Sequence, residues 1–239
     1  MQRSLVGSEM CIRDSVYGNN SSINTVEIAE HNNLAPASFL AGRTKRLIDL
    51  IVSAAGLLVL AIPFAFVALL IKLEDPKGPV FFSQTRVGLN GDYFLLYKFR
   101  TMHVGAEDEL ADLIKKNEIK GAMFKMKCDP RVTKVGQFLR KFSIDEFPQL
   151  VNVLKGEMSI VGPRPALPRE VEQYSDYHRL RLQVKPGCTG LWQVSGRNRL
   201  HFEEMIQLDL SYLTKGSFLL DVQIMLKTLL VIITRDGAY

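Results

Sequence analysis

The residues best suited to chemistry are two adjacent carboxylates, Asp145 and Glu146, which follow the cationic pair Arg140 and Lys141. Neighbouring carboxylates among cations can bind a divalent metal or supply a nucleophile. The pattern also has a purely structural explanation, because Ser143 and Glu146 have the spacing of a capping box. In both cases we predict a helix that begins near Ser143, and a helix N-terminus can bind phosphate.

Three further cations occupy positions from which they could meet an anion. Arg164 lies between Pro163 and Pro165, so a stiff loop presents its guanidinium at low entropic cost. Lys98 and Arg100 share one face of a predicted strand. For that pair a solvated basic edge is the simpler interpretation, and an anion-binding pair is the alternative.

Motifs for other metals and cofactors are missing from the sequence. The three cysteines are widely spaced and the four histidines form no close pair, which disfavours a disulfide framework, a zinc ribbon or a histidine-built metal site. Glycine-punctuated loops at 185–190 and 193–198 flank Trp192, but they match neither a dinucleotide-binding fingerprint nor a Walker motif. The cysteine pattern favours a reducing compartment.

The elements that must position these groups follow from local patterns. Residues 80–84 and 93–100 are two β-type runs joined by a glycine-rich turn, which predicts a hairpin. A short helix is expected to end near Arg140, and a buried strand at 158–161 leads into the rigid arginine loop.

Two helices are predicted in the C-terminal part, one at about 202–212 and one at 218–234. In the second helix Asp221, Thr228 and Arg235 recur every seven residues and form one polar stripe. We interpret this segment as an amphipathic helix in a membrane interface. A helix of the protein core is the alternative.

One segment is apolar enough to enter a membrane. Residues 50–71 contain no charge and would form a helix about 33 Å long, enough to cross the hydrocarbon. Pro63, just beyond the middle, removes a helical hydrogen bond. Basic residues on both flanks favour keeping both ends in the cytoplasm: Arg43, Lys45, Arg46, Lys72, Lys77 and Arg86. A re-entrant helix that turns at Pro63 and a spanning helix are equal alternatives from these features alone.

Composition limits the remaining function classes. The 239 residues carry a formal charge of +5 and 47% of them are hydrophobic, which excludes a disordered, collagen-like or disulfide-rich chain. The charge suits an anionic substrate or a membrane surface, and without a nucleic-acid-binding motif no nucleic acid partner is expected. Residues 1–41 predict a polar tail, disordered or partly artefactual, ahead of one domain at 42–239.

Residues 42–235 resemble the bacterial monotopic phosphoglycosyl transferases, also called sugar transferases. Several motifs occur together in the order and with the spacing of that family. They are Lys45-Arg46-Leu47-Ile48-Asp49, Tyr97-Lys98-Phe99-Arg100-Thr101-Met102, Asp129-Pro130-Arg131, Asp145-Glu146, Gly162-Pro163-Arg164-Pro165, Pro186-Gly187-Cys188-Thr189-Gly190 and Gly196-Arg197-Asn198.

The resemblance implies an α/β (α+β) catalytic domain on the cytoplasmic face of the bacterial inner membrane. A re-entrant helix at about 47–72, broken at Pro63, would anchor the domain, and C-terminal amphipathic helices would lie in the interface. Members of the family transfer a sugar-1-phosphate from a UDP-sugar to a polyprenyl phosphate, usually undecaprenyl phosphate, and release UMP. This reaction begins the assembly of exopolysaccharides, O-antigens, capsules or other glycoconjugates.

The resemblance also implies roles for individual residues. In the family's mechanism an aspartate, at the position of Asp145, attacks the β-phosphate and forms a covalent phospho-sugar enzyme, which the lipid phosphate then resolves. Glu146 would share a Mg²⁺ site and proton handling with Asp145. Phosphate or substrate contacts are implied for Lys98, Arg100, Arg140, Arg164, Gln193 and Arg197.

Two other functions stay open at this point. A non-catalytic membrane adaptor could bind anionic lipid with its basic face, and Asp145 would then be only a helix-cap residue. An enzyme could also transfer the sugar phosphate directly, with Asp145 serving only as a metal ligand. The sequence identifies neither the sugar nor the polysaccharide pathway, and it leaves a homodimer open.

Overall fold

The computed structural model describes residues 35–106, 129–196 and 200–234, together with positions 108, 109, 113 and 126. These residues form a mixed fold of helices and strands, as predicted. In chain order the helices and strands are α1 (Arg43–Glu74), β1 (Phe81–Val87), β2 (Tyr93–Phe99), α2 (Lys134–Lys141), α3 (Gln149–Lys155), β3 (Ser159–Val161), α4 (Pro168–Val171), α5 (Asp176–Arg179), β4 (Gly187–Thr189), α6 (Leu191–Ser195), α7 (Phe202–Lys215) and α8 (Phe218–Thr234).

The apolar segment lies in the long helix α1, which extends about 48 Å at 1.5 Å per residue. Within the described ranges it is the one helix long and apolar enough to cross a membrane. Its outer side chains face away from the protein, and Leu58, Val59 and Ile62 are 80%, 75% and 83% exposed. Pro63 is an internal residue of this helix, and the re-entrant turn there stays a prediction.

Buried polar contacts attach the first turns of α1 to the rest of the protein. Lys45 Nζ lies 3.1 Å from an Asp49 carboxylate oxygen and 2.8 Å from one of Asp221 in α8. The Asp49 carboxylate also accepts hydrogen bonds from Ser159 Oγ and from the Ile160 amide of β3, each at 3.0 Å. Lys45 and Asp49 therefore fix α1 to β3 and to α8.

A second contact joins α1 to the end of α3. The Arg46 guanidinium donates to the carbonyl oxygens of Val153 and Leu154 at 2.6 and 2.8 Å, where a helix leaves its last carbonyls unpaired. Gly156 has φ 86 and ends α3 in the left-handed conformation that glycine adopts without a steric cost.

β1 and β2 form the predicted antiparallel hairpin, with Phe81 opposite Phe99 and Val87 opposite Tyr93. Phe99 packs against α1, where its ring centroid lies 5.0 Å from that of Phe64. Because side chains alternate along a strand, Lys98 lies on the opposite face from Phe99, as predicted.

The other sheet pairs β3 with β4 in parallel. The sequence predicts β3 as a buried strand but only a loop at 185–190, because a strand of three residues shows no readable alternation. A Cβ at position 187 would lie 2.1 Å from the Gly162 nitrogen, so glycine permits the two backbones to meet. The loop predicted at 193–198 is also corrected in part, since residues 191–195 form helix α6.

The main core lies between the two sheets and the C-terminal helices. Its buried members come from β2, α3, β3, α7 and α8 and from the turn before β3. They are Leu96, Val153, Met158, Ile160, Val161, Tyr212 and Ile224.

Helices α7 and α8 lie where the sequence predicts them, but Asp221 and Thr228 of the polar stripe face inward, and Arg235 lies outside the described residues. Asp221 is 2% exposed and accepts a hydrogen bond from Tyr212 Oη at 2.7 Å, while Thr228 Oγ1 lies 2.7 Å from Thr189 Oγ1. The stripe therefore does not form the polar outer face of an interfacial helix. Gln223 and Lys227 are exposed, but most side chains that point outward are large and apolar and are 54–75% exposed: Phe218, Leu219, Leu226, Leu229, Leu230 and Ile233.

The segment before α1 is described from residue 35. The Ala37 amide donates to the Leu213 carbonyl of α7 at 2.8 Å, and Leu40 packs against the main core. Residues 1–34 lie outside the described residues, so the tail predicted for 1–41 stays a prediction.

Candidate functional site

The acidic pair lies in a tight turn between α2 and α3. Residues Ile144–Glu146 form one 3₁₀ turn, and Ser143 before it has φ 55 and ψ 23, in the left-handed region. The capping box predicted at Ser143 and Glu146 is wrong, because the Ser143 side chain makes no cap hydrogen bond and Lys98 binds the Glu146 carboxylate. A serine in this conformation is strained, and such strain concentrates at functional sites.

Helix α2 ends near Arg140, as the sequence predicts, and it places Arg140 beside the turn. Thr133 caps it by accepting a hydrogen bond from the Gly136 amide at 2.9 Å. A Cβ at position 136 would lie 2.0 Å from the Thr101 carbonyl oxygen, so glycine lets α2 approach the chain after β2. There Arg140 Nε donates to Thr101 Oγ1 at 2.9 Å, which fixes the guanidinium near the carboxylates.

Asp145 is the more deeply buried member of the acidic pair, with 8% of its surface exposed. Burial raises the pKa of Asp145 above its usual value, because the charged form loses its hydration. Lys98 and Arg140 oppose this rise and the charge of Glu146 adds to it. Asp145 therefore binds a proton more readily than a free aspartate does.

The pKa of Glu146 is shifted in the opposite direction, below its usual value. Its carboxylate lies 2.7 Å from Lys98 Nζ, and 40% of its side chain is exposed. Burial by itself would raise the pKa of Glu146, but Lys98, Arg164 and Arg86 outweigh it and lower that pKa. Two neighbouring carboxyl groups with acidities driven apart are typical of sites that divide tasks between them.

The structure brings three of the six predicted substrate-binding residues to this pair. Lys98 arrives from β2 and Arg140 from the last turn of α2. Arg164 comes from the loop after β3, where it forms an ion pair with the buried Glu170 at 3.1 Å. Glu170 is a partner that the sequence does not predict, because nothing local distinguishes it from a surface glutamate.

Of the other three predicted residues, the structure describes Arg100 and Gln193, which contact other groups. Arg100 forms an ion pair with Asp75 at 2.6 Å, near the end of α1. Gln193 lies in α6 and donates to the Cys188 carbonyl oxygen at 3.4 Å. Arg197 lies outside the described residues, so its substrate contact stays a prediction.

One cation near the pair is missed by the sequence reasoning. Arg86 is counted there only as part of the basic flank of the membrane segment, yet it lies in β1 with 7% of its surface exposed. It shares a strand face with Gln84, whose amide oxygen accepts from it at 2.7 Å. The hairpin register places Arg86 on the face of Lys98 and Leu96, opposite to Phe99. Its partner Pro165 comes from a distant part of the chain, which the sequence does not reveal.

The donor set restricts what metal the site could hold. Among the described residues no group of three or more His, Cys, Asp or Glu side chains comes together. Two carboxylates suffice for Mg²⁺ when phosphate oxygens and water complete its shell. Asp145 and Glu146 therefore fit a Mg²⁺ shared with a bound phosphate, and they do not fit a metal held by protein alone.

Comparison with known proteins places the whole described region in one family. The sequence model described as bacterial sugar transferase matches residues 40–235. An undecaprenyl-phosphate galactose phosphotransferase of Salmonella typhimurium is 43% identical over 87% of this chain and 44% of its own length. A UDP-galactose-lipid carrier transferase of Erwinia amylovora is 42% identical over 87% of this chain and 44% of its own.

A third relative has nearly the same extent as this chain. The exopolysaccharide production protein ExoY of Sinorhizobium fredii is 39% identical over 84% of this chain and 90% of its own length. The chain thus spans less than half the length of the first two relatives and most of the third.

Proposed function

Because this chain belongs to the bacterial sugar transferase family, we propose that it transfers a sugar-1-phosphate from a UDP-sugar to a polyprenyl phosphate and releases UMP. Relatives named for undecaprenyl phosphate, UDP-galactose and exopolysaccharide production support this choice of acceptor, donor and pathway class. The observation that carries the proposal is the pair Asp145 and Glu146, driven apart in acidity and surrounded by cations.

The reaction proceeds in two displacements at phosphorus. An Asp145 carboxylate oxygen attacks the β-phosphorus of the UDP-sugar, the bond from that phosphorus to the bridging oxygen breaks, and UMP leaves with that oxygen. The sugar phosphate is now bound to Asp145 as an acyl phosphate. An oxygen of the polyprenyl phosphate then attacks the same phosphorus, which releases Asp145 and gives the polyprenyl diphosphate sugar.

The residues around Asp145 support the attack in distinct ways. The Lys98 ammonium binds Glu146 and lowers its pKa, which favours the charged form of Glu146 beside Asp145. Arg140 and Arg164 can neutralise the anionic oxygens of the diphosphate. This neutralisation is needed because a carboxylate is otherwise repelled by the negative charge of the diphosphate. Their guanidinium groups are held by Thr101 and Glu170, so little reorganisation is needed on binding.

The family resemblance implies Mg²⁺ as the cofactor, and Asp145 and Glu146 would hold it together with the diphosphate. When bound, the ion would polarise phosphoryl oxygens and neutralise charge on the leaving group. The protein's own contribution is to supply adjacent carboxylates next to fixed cations.

The lipid acceptor requires a site at the membrane surface. The exposed apolar side chains of α1 and α8 supply two surfaces that can enter lipid. Basic residues at both ends of α1 favour the same, cytoplasmic side for both ends, and this supports a re-entrant path that turns at Pro63. The catalytic domain then faces the cytoplasm at the inner membrane, where UDP-sugars are available.

The test separates the two half-reactions. Purified protein with Mg²⁺ and UDP-sugar labelled in the sugar, without lipid acceptor, is expected to release UMP in stoichiometric amount and to retain the label. Asp145→Asn is expected to retain none, whereas Asp92→Asn, at the hairpin turn, serves as the matched control. Full turnover with lipid but no labelled adduct would show direct transfer, and absence of any transfer by a folded protein would exclude the proposed activity.

A further inference from the structure

Arg86 is a buried guanidinium whose described hydrogen bonds all go to neutral oxygens. Nη1 donates to the Pro165 carbonyl at 3.0 Å and Nη2 donates to Gln84 Oε1 at 2.7 Å. Among the described residues, Nε has no hydrogen-bond partner although it is buried. Arg86 is thus a fixed charge that no carboxylate pairs with directly in this part of the chain.

Such a residue is costly unless an anion compensates it. Removing a guanidinium from water is unfavourable when its charge is left unpaired. Burial lowers the pKa of Arg86 to about 10, and repulsion by Arg164 acts in the same direction. A negatively charged ligand between two neighbouring arginines would offset this repulsion, because each guanidinium can donate charge-assisted hydrogen bonds to it.

The backbone holds Arg86 beside the loop of the second arginine. The Val87 amide donates to the Ala166 carbonyl at 2.9 Å, and this bridge joins the end of β1 to the chain after Arg164. Together with the Arg86 bond to Pro165, it fixes both guanidinium groups relative to one stiff segment. Arg86 also acts on Glu146, whose carboxylate belongs to the acidic pair.

The balance of charge around the acidic pair leaves one cation over. In the described residues, Lys98 pairs with Glu146 and Arg164 pairs with Glu170, while Arg140 is attracted by Asp145. Arg86 is attracted by Glu170 and Glu146, but these carboxylates already pair with Arg164 and Lys98, so the four cations face three carboxylates. A nucleoside diphosphate would bring the missing negative charge, and a guanidinium can bind two phosphate oxygens at once.

We propose that Arg86 is a phosphate-binding residue of this site, which contacts the donor diphosphate together with Arg164. This inference rests on the proposed function, because it takes the UDP-sugar as the anion. Gln84 and Pro165 each accept a hydrogen bond from one amino group of Arg86, which leaves three of its five N–H donors for the ligand.

UDP binding to the unreacted protein tests the inference without relying on turnover. Arg86→Lys keeps a charge but loses the forked donor, and Arg86→Met loses both, so we expect UDP affinity to fall about 10-fold and about 100-fold respectively. Arg169→Lys, at an exposed arginine of α4, is the matched control and should bind as the wild type does. Titration with UDP, followed by the shift in melting temperature, gives these ratios.

Each outcome bears on one of the two proposals. Wild-type protein that binds no UDP and forms no adduct would remove the proposed function, and the inference with it. Wild-type protein that binds and reacts, beside Arg86→Lys and Arg86→Met variants of unchanged affinity, would overturn the inference alone. If neither variant folds while Arg169→Lys does, Arg86 is a structural residue and the inference is likewise overturned.

Discussion

Asp145 and Glu146 are neighbours in sequence, yet their surroundings push their acidities in opposite directions. Burial dominates at Asp145 and cations dominate at Glu146. A carboxyl group whose pKa is raised by folding destabilises the folded state at pH values where the carboxyl is charged. A carboxyl group whose pKa is lowered by folding stabilises the folded state there. The stability of the protein should therefore respond with opposite signs to neutralising the two side chains.

We predict that Asp145→Asn raises the melting temperature at pH 7.5, by about 2–4 °C for each kcal/mol relieved in a domain of this size. The gain should shrink as the pH falls through the raised pKa of Asp145, because the wild-type carboxyl is then neutral too. Thermal unfolding in detergent between pH 4 and 8 measures both effects.

Glu146→Gln is the matched control for that experiment. Its carboxylate contributes stability above its ordinary pKa, through Lys98, so its loss should lower the melting temperature at pH 7.5. A lower melting temperature for Asp145→Asn than for wild type would contradict the idea that the protein retains a destabilising carboxylate for its chemistry.

At the scale of elements, α1 is held by charge as well as by apolar packing. Asp49 accepts hydrogen bonds from Lys45, Ser159 and the Ile160 amide, and it is 3% exposed. β3 continues into the loop that carries Arg164. The Asp49 carboxylate therefore joins α1 to one side of the site.

We predict that Asp49→Ala lowers the free energy of unfolding by about 2–4 kcal/mol, because it leaves the buried Ile160 amide without its partner and removes one of the two carboxylates that contact the buried Lys45. Glu203→Ala, which removes the exposed ion pair with His178, should cost about 1 kcal/mol or less. Denaturant titration of both variants beside the wild type gives the difference. Equal costs would mean that the Asp49 contacts add nothing beyond those of a surface pair.

Which elements the sequence could predict depends on whether their signal is local. The β1–β2 hairpin and the end of α2 near Arg140 follow from residues close in the chain, and the structure confirms them. β4 escapes prediction because its pairing with β3 is made across distant residues. Among the charged residues of the candidate site, Asp145 and Glu146 are neighbours in the chain, whereas Lys98 and Arg164 come from distant segments.

The inward stripe of α8 shows a different limit. Periodicity reveals that Asp221 and Thr228 share a face, but not which environment that face meets. Lys45 and Thr189, which receive these groups, lie far away in the sequence. Arg86 is missed for the same reason, since its neighbours Pro165 and Glu146 come from other parts of the chain.

At the scale of the whole molecule, the proposed reaction requires two apolar surfaces and one charged site to bring a soluble donor to a lipid acceptor. The exposed side chains of α1 and α8 are mostly apolar, and Asp221 and Thr228 of α8 are bound inside the protein. Burial of exposed leucines in lipid stabilises membrane contact by roughly 25 cal/mol per Å². We therefore expect α8 to hold the catalytic domain against the surface where the acceptor phosphate lies.

The pair of substitutions Leu229→Glu and Leu230→Glu tests this arrangement, because both side chains are largely exposed at 57% and 60% and their change should not disturb the core. In lipid nanodiscs we predict UMP release without acceptor within about twofold of wild type, but transfer to polyprenyl phosphate about 10-fold slower, as about 1.4 kcal/mol of lost positioning implies. Gln173→Glu, which adds charge at an exposed polar residue, is the control. Equal slowing of both half-reactions would place the defect in the catalytic site, and unchanged transfer would show that α8 does not position the domain on the membrane.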